Sequence, residues 1–344
     1  MWRPRLWRRS LQPSPDGLNP DVFSVNNGDG WALDIKRYRS KQGFRSELPP
    51  LLCVPGYCMN TYILAFHPTG RSMVGYLADL GFEVWTVNLR GQGDAKRQGS
   101  SRPVRIDQWC EIDVPCAVDF VLSNTRSAQR RAVLVGVSLG GAVTYSYLAR
   151  RPSSHQLCAA VTLGSPLRWP APPRWARPLL ARPKLVGRVR LTGTRTMARA
   201  FLPIAARATP KLLALYMNTE HIDLSRADLL TQTVDDAEPG INESLIRWMA
   251  HGDLLIGDTN VTQKLSESEV PLLVMYANAD GIVPPSLARQ AITFGPPGLV
   301  SMEVGDAQVR LSHADMFISE HAESRVFAPL GQWLLKMSTA RNGG

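Results

Sequence analysis

The apolar run Ala132-Val133-Leu134-Val135-Gly136-Val137 leads without a spacer into Ser138-Leu139-Gly140-Gly141, and a helical pattern follows as far as Arg151. A β-branched run of this kind reads as a strand buried on both faces, which requires helices above and below it and hence a parallel sheet. A strand that turns into a helix within a residue or two leaves no room for side chains where the two backbones cross. Gly136 and Gly140 supply that room, and Ser138 between them must adopt a strained backbone conformation. Its hydroxyl then projects from the carboxyl edge of the sheet, beside a helix N-terminus. The Gly-x-Ser-x-Gly spacing alone is weak, and its strand-to-helix setting is what makes it specific. The competing reading is a glycine-rich turn without chemistry.

The rest of the chain repeats the same rhythm. Trp31–Tyr38 alternates and reads as an edge strand, Leu51–Val54 is a short apolar run ended by Pro55-Gly56, and Arg71–Leu80 has helical spacing. Glu83–Val87 reads as a strand, Asp113–Leu122 as a helix with Pro115 in its first turn, and Leu157–Leu163 as a strand. The rhythm breaks at Gly164-Ser165-Pro166, and no clear strand follows for about a hundred residues. It resumes with a strand at Pro271–Tyr276, a helix at Pro285–Thr293, a strand at Leu299–Val304 and a last helix from about Ala314 to Met337. The organisation predicted is a basic N-terminal arm over 1–30, a first core part over 31–165, an inserted helical cap over 166–268 and a second core part over 269–338.

Charge is concentrated rather than spread. The formal net charge is +10, yet between Pro166 and Lys211 there are nine Arg, two Lys and no acid, so the remainder is close to balanced. One segment is basic, and no nucleic-acid motif accompanies it, so nucleic acid is not the expected partner. Trp169 and Trp175 lie among Arg168, Arg174 and Arg177, a mixture that suits a water–lipid boundary, although a solvated proline-rich surface is an equal reading. The five cysteines form no Cys-x-x-Cys pair, which argues against a zinc site or a full disulfide framework. No apolar run reaches the length of a membrane span, and no apolar stretch follows the four Arg of the first ten residues. A cytoplasmic location, with peripheral contact to a lipid surface through the basic segment, is the expectation.

On these motifs the sequence resembles the α/β-hydrolase superfamily from about Trp31 to Met337. The stretch Gly75 to Gly91 is similar to the matching part of acid lipases, as is Asp113-Val114-Pro115. Tyr57 to Leu64 is similar to polyhydroxyalkanoate synthases. Those carry a cysteine nucleophile, so Ser138 favours hydrolysis, and it excludes the branches that use Asp at this position. The fold implied is a mostly parallel central sheet flanked by helices, with a helical cap inserted.

A serine hydroxyl needs a base and a carboxylate to orient that base, and the superfamily supplies them in the order Ser, acid, His. The resemblance implies Asp280 as the acid, in the loop after the strand ending at Tyr276, because the alternative position after Leu163 offers Gly164, Ser165 and Pro166. Of the six histidines only His313 and His321 follow Asp280. His313 resembles the terminal motif of the superfamily, whereas His321 beside Glu320 reads as a surface residue. His251-Gly252-Asp253 reads as a helix C-terminal cap, with substrate contact as the alternative. By position the oxyanion donors are the N–H groups of Leu139 and Tyr57, with Gly56 and Cys58 one residue to either side. No metal or organic cofactor is implied. The predicted activity is hydrolysis of lipophilic carboxylic esters; the rivals are acyl transfer to an acceptor other than water and a non-catalytic binding protein on the same scaffold.

Overall fold

The computed structural model describes residues 17–40, 43–172 and 193–339. In chain order the elements that matter are β1 (Asp21–Asn26), β2 (Trp31–Tyr38), β3 (Leu51–Val54), α1 (Met73–Asp79), β4 (Val84–Asn88), β5 (Lys96–Arg97), α2 (Val114–Asn124), β6 (Ala132–Val137), α3 (Leu139–Arg150) and β7 (Leu157–Leu163). They continue with α4 (Thr194–Ala208), α5 (Pro239–His251), β8 (Leu255–Ile256), β9 (Thr259–Asn260), β10 (Leu272–Ala277), β11 (Val300–Val304), α6 (Asp315–Ile318) and α7 (Ala328–Thr339).

The main sheet runs β1-β2-β4-β3-β6-β7-β10-β11, with β5 paired to β2. The strands from β4 to β11 pair in parallel, and β1 and β2 are antiparallel additions at one side. Side chains alternate between the two faces. Ala132 and Leu134 of β6 join one buried cluster with Ala142, Val143 and Leu148 of α3, while Val133, Val135 and Val137 join the other with Leu77 of α1 and Leu330 and Leu334 of α7. Each face is therefore covered by helices, as an all-apolar strand requires.

The chain leaves β3 for β4 on one side, then crosses back to place β6 on the other side of β3. The carboxyl ends of β3 and β6 thus flank the point where the strand order reverses, the place where sheets of this kind open a crevice for ligands. The loop after β3 begins with Pro55-Gly56, and the residue after β6 is Ser138.

Four expectations change. β2 is not an edge strand, because β1 covers it. Asn27 accepts N–H bonds from Asp29 and Trp31 through Oδ1 at 2.9 and 3.1 Å, closing a tight reversal that folds part of the expected arm onto an edge otherwise left unpaired. The insertion is not all cap, since Leu254, Ile256, Val261 and Leu265 are buried in the same cluster as α3, and β8 and β9 form a small hairpin. The helix expected over Pro285–Thr293 is two short turns, Pro285–Ala288 and Gln290–Phe294. The last helix is likewise broken, because Ser319 turns extended after α6.

Among the described residues no two of the five cysteines form a disulfide. No helix among them is long and apolar enough to cross a membrane.

Candidate active site

Ser138 sits between β6 and α3 with φ 53° and ψ −120°, one of two non-glycine residues at positive φ among those described. Such a conformation costs about 1–3 kcal/mol and persists only where the surroundings enforce it. The surroundings here are backbone. The Ser138 N–H donates to Leu163 O of β7 at 2.8 Å, and Gly141 N–H donates to Ser138 O at 3.0 Å. A Cβ at Gly136 would meet Gly140 O and Thr144 Oγ1 at 2.4 Å, and one at Gly140 would meet Val54 O of β3 at 2.4 Å. The two glycines are thus required by close approach, one within the turn and one against the neighbouring strand.

Asp280 and His313 come together behind this turn. His313 Nδ1 is 2.6 Å from Asp280 Oδ2, and both side chains are buried. The other carboxylate oxygen accepts the N–H groups of Ile282 and Val283, each at 2.8 Å, so the carboxylate is clamped by its own loop. His313 Nε2 is buried and, among the described residues, has no hydrogen-bond partner, so it does not bond Ser138 Oγ. The three groups nevertheless share one neighbourhood. Leu163 O holds Ser138 N, and a Cβ on the next residue, Gly164, would lie 3.2 Å from His313 Cε1 and 3.3 Å from Asp280 Oδ2. Catalytic hydrogen bonds without substrate are often open and tighten only when substrate arrives.

The loop after β3 closes the other side. A Cβ on Gly56 would lie 2.6 Å from Ser138 Cβ and 3.2 Å from Leu139 N, so the backbone at 56–57 passes directly over the turn. Leu139 opens α3, and its N–H is one of the helix's first four, which have no acceptor within the helix. The Tyr57 hydroxyl hydrogen-bonds Asn242 Oδ1 of α5, and burial pushes the phenol well above its ordinary pKa. Cys58 holds φ 54°, and burial pushes its thiol up to about 11.

Several residues that sequence reasoning did not single out hold these loops. Gln92 is buried and donates through Nε2 to Gly56 O at 2.6 Å and Met59 O at 3.2 Å. Asn60 donates through Nδ2 to Gln232 O and Asp235 Oδ1, both at 2.9 Å, and Asp235 N–H donates to Cys58 O at 2.9 Å. Asn278 accepts Leu311 N–H at 2.9 Å and donates to Asp306 O at 2.8 Å, tying the Asp280 loop to the His313 loop. Of these, only Gln92 and Asn278 carried a sequence signal, as polar residues four positions and one position past a strand's carboxyl end.

His251 closes α5 and Gly252 caps it with φ 91°, while Asp253 pairs with Arg168 at 2.7 Å. These residues lie beside a cavity of about 580 Å³ lined also by Asp107, Glu111 and Trp248 and by none of Ser138, Asp280 and His313. Trp169 packs edge-on against Trp248 at 5.8 Å. Arg168 and Trp169 therefore anchor the base of the insertion, whereas Arg174, Trp175 and Arg177 lie outside the described residues.

Residues 70–296 match the family described as serine aminopeptidase, S33, a span that takes in Ser138 and Asp280 and ends before His313. Similar curated proteins include the tear acid lipase-like protein of Mesocricetus auratus, 26% identical over 137 residues, 37% of this chain and 34% of that protein. The pimeloyl-[acyl-carrier protein] methyl ester esterase of Aliivibrio fischeri is 24% identical over 242 residues, 70% of this chain and 81% of that protein. The chain thus spans about a third of the length of the first of these relatives. In architecture it is similar to the enol-lactonase from Burkholderia xenovorans, with a TM-score of 0.59 at 17% identity over 92% of this chain and 99% of that one. The reversed strand order, the strained serine after β6 and the match over 70–296 lead to one conclusion: the chain belongs to the serine aminopeptidase, S33, family and has the α/β-hydrolase fold.

Proposed function

We propose that this chain is a serine hydrolase of carboxylic esters, working through an acyl-enzyme on Ser138. The observation that carries the reading is the 2.6 Å bond from His313 Nδ1 to the clamped Asp280 carboxylate, with Nε2, beside the Ser138 turn, left without a partner among the described residues. Asp280 holds the imidazole with its proton on Nδ1, so Nε2 is free to accept the Ser138 proton as Oγ attacks the ester carbonyl. The tetrahedral oxyanion forms at the start of α3, where the N–H groups of Leu139 and Tyr57 are the proposed donors and the helix N-terminus favours negative charge. His313 returns the proton to the leaving alcohol, and water then attacks the acyl-enzyme by the same route in reverse.

A lipophilic substrate is the reading favoured by the surface beside the acid loop. Gly281 N–H donates to Leu215 O at 2.9 Å, and Leu215, Leu212, Ile204 and Met197 all expose large apolar side chains. Apolar side chains beside the basic stretch from Pro166 to Lys211 suit a peripheral lipid contact. The relatives named as a lipase-like protein and a methyl ester esterase point to the same bond class.

The test is a p-nitrophenyl ester series from acetate to palmitate, with Ser138→Ala alongside and amino-acid p-nitroanilides as the amide control. Faster turnover of long-chain esters, lost in the alanine variant, is expected. Equal rates in the variant, or turnover of anilides alone, would sink the reading. Added alcohol or thiol separates acyl transfer, which would show as transfer product outrunning free acid.

A further inference from the structure

We infer that His221, Glu320 and His321 form a site for a zinc-class divalent ion that staples the inserted segment to the core. The three ligand atoms come from two parts of the chain far apart in sequence. His221 lies in the insertion, and Glu320 and His321 lie in the turn that follows α6. His221 Nδ1 is 3.8 Å and His321 Nε2 is 3.6 Å from Glu320 Oε1, and all three ligand atoms lie within 4.8 Å of one another.

Zinc–nitrogen and zinc–oxygen bonds of about 2.0–2.2 Å in a tetrahedron place ligand atoms about 3.3–3.5 Å apart. The two carboxylate–imidazole separations need to shrink by only a few tenths of an ångström, and the imidazole–imidazole separation, within 4.8 Å, by a little over one. Side-chain rotation supplies this, because Glu320 is 63% exposed and His321 29%. Two imidazoles and one carboxylate suit zinc and its neighbours among the transition metals rather than magnesium or calcium, which favour oxygen ligands. The exposed side of the site leaves the fourth position to water. The two rings already meet edge to face with centroids 4.8 Å apart.

The backbone explains what such an ion would do. Glu320 N–H donates to His221 O at 2.9 Å, so the two segments are already in register at the site. Just upstream, the stretch 214–218 lies across both catalytic loops. Leu215 O accepts Gly281 N–H at 2.9 Å, Tyr216 O accepts Ala314 N–H at 2.8 Å, and Ala214 O accepts the Ser312 hydroxyl at 2.6 Å. An ion at His221 would pin the downstream end of this stretch, one turn beyond the residues that cover Asp280 and His313. The role is clamping, and Ser138 chemistry proceeds without it.

The experiment uses the full chain, stripped with a chelator, dialysed and titrated with zinc chloride by calorimetry. One equivalent is expected to bind, and amide exchange across 214–222 should slow when it does. Binding should be lost in His221→Ala and His321→Ala, be weakened at least tenfold in the exposed Glu320→Gln, and persist in His313→Ala. The last arm separates this site from the Asp280–His313 pair. No binding, binding unchanged in both histidine variants, or binding without slower exchange across 214–222 would each overturn the inference. Were either histidine variant unfolded, Glu320→Gln alone decides the outcome.

Discussion

The two loops that meet at Ser138 are held in different ways. The turn carrying Ser138 is enforced by its neighbours in the sheet: Leu163 O on one side, the Val54 backbone on the other, and two glycines that let these approach. The loop from Gly56 to Asn60 has no such frame. It is held by Gln92, and by Asp235, Gln232, Thr233 and Asn242 of the insertion, residues well over a hundred positions away. The strained serine turn is thus built from one strand and one helix, while the loop carrying Tyr57, the second proposed oxyanion donor, depends on a segment with no clear strand pattern in its sequence.

The largest effects should come from the sheet-built half. Ser138→Ala is expected to lower kcat for esters by at least about 10⁴-fold with the thermal midpoint unchanged, read by steady-state rates and a melting curve. A variant that kept even a tenth of the rate would place the nucleophile elsewhere. Asp280→Asn should lower kcat by about 10³–10⁴-fold, because the imidazole loses the partner that fixes its tautomer. A loss under tenfold would show that the 2.6 Å contact does not orient His313.

The loop-built half offers gentler tests. Burial pushes the Cys58 thiol from 9.0 up to about 11, so at pH 8 its thiolate fraction is about a hundredfold below that of an unshifted thiol. Alkylation at Cys58, followed by peptide mass analysis, should be slow by that factor and should rise tenfold per pH unit up to about 11. The sign follows from burial disfavouring the charged form. Asp235→Ala, which removes the carboxylate that accepts from Asn60 Nδ2 and from Gly93 N–H, should raise the rate; no change would show that the insertion does not hold the loop. Smallest is Gln92→Ala. It leaves the Gly56 and Met59 carbonyls without this donor and should lower kcat about tenfold with KM little altered, at a stability cost of about 1–3 kcal/mol by urea titration. A rise in KM with kcat intact would assign Gln92 to substrate binding instead.

The split also explains how far the sequence could be read. β6 and β7 occur with the boundaries expected from their apolar runs, since a strand buried on both faces has no alternative reading of its length and type. Asp280 and His313, 33 positions apart, lie 2.6 Å from one another. The arm over 1–30 was misjudged at Asp21–Asn26, whose alternation is too short and too polar to stand out until the Asn27 turn lays it beside β2. The insertion was misjudged at Leu254–Leu265, whose apolar residues show no clear period yet fill the gap beside α3. His321 beside Glu320 reads as a surface residue and His221 carries no local pattern, because their pairing exists only across the fold.

What the residues alone determined is the strand–serine–helix turn and, with it, a parallel sheet, because backbone sterics and periodic burial act over a few neighbouring positions. What only the tertiary structure decided is everything that crosses between distant segments: which carbonyls Gln92 holds, which insertion residues close over Gly56–Asn60, and where two lone histidines meet a glutamate. Contacts of that kind depend on loop paths, and a loop path is set by the packing of its two ends rather than by its own sequence.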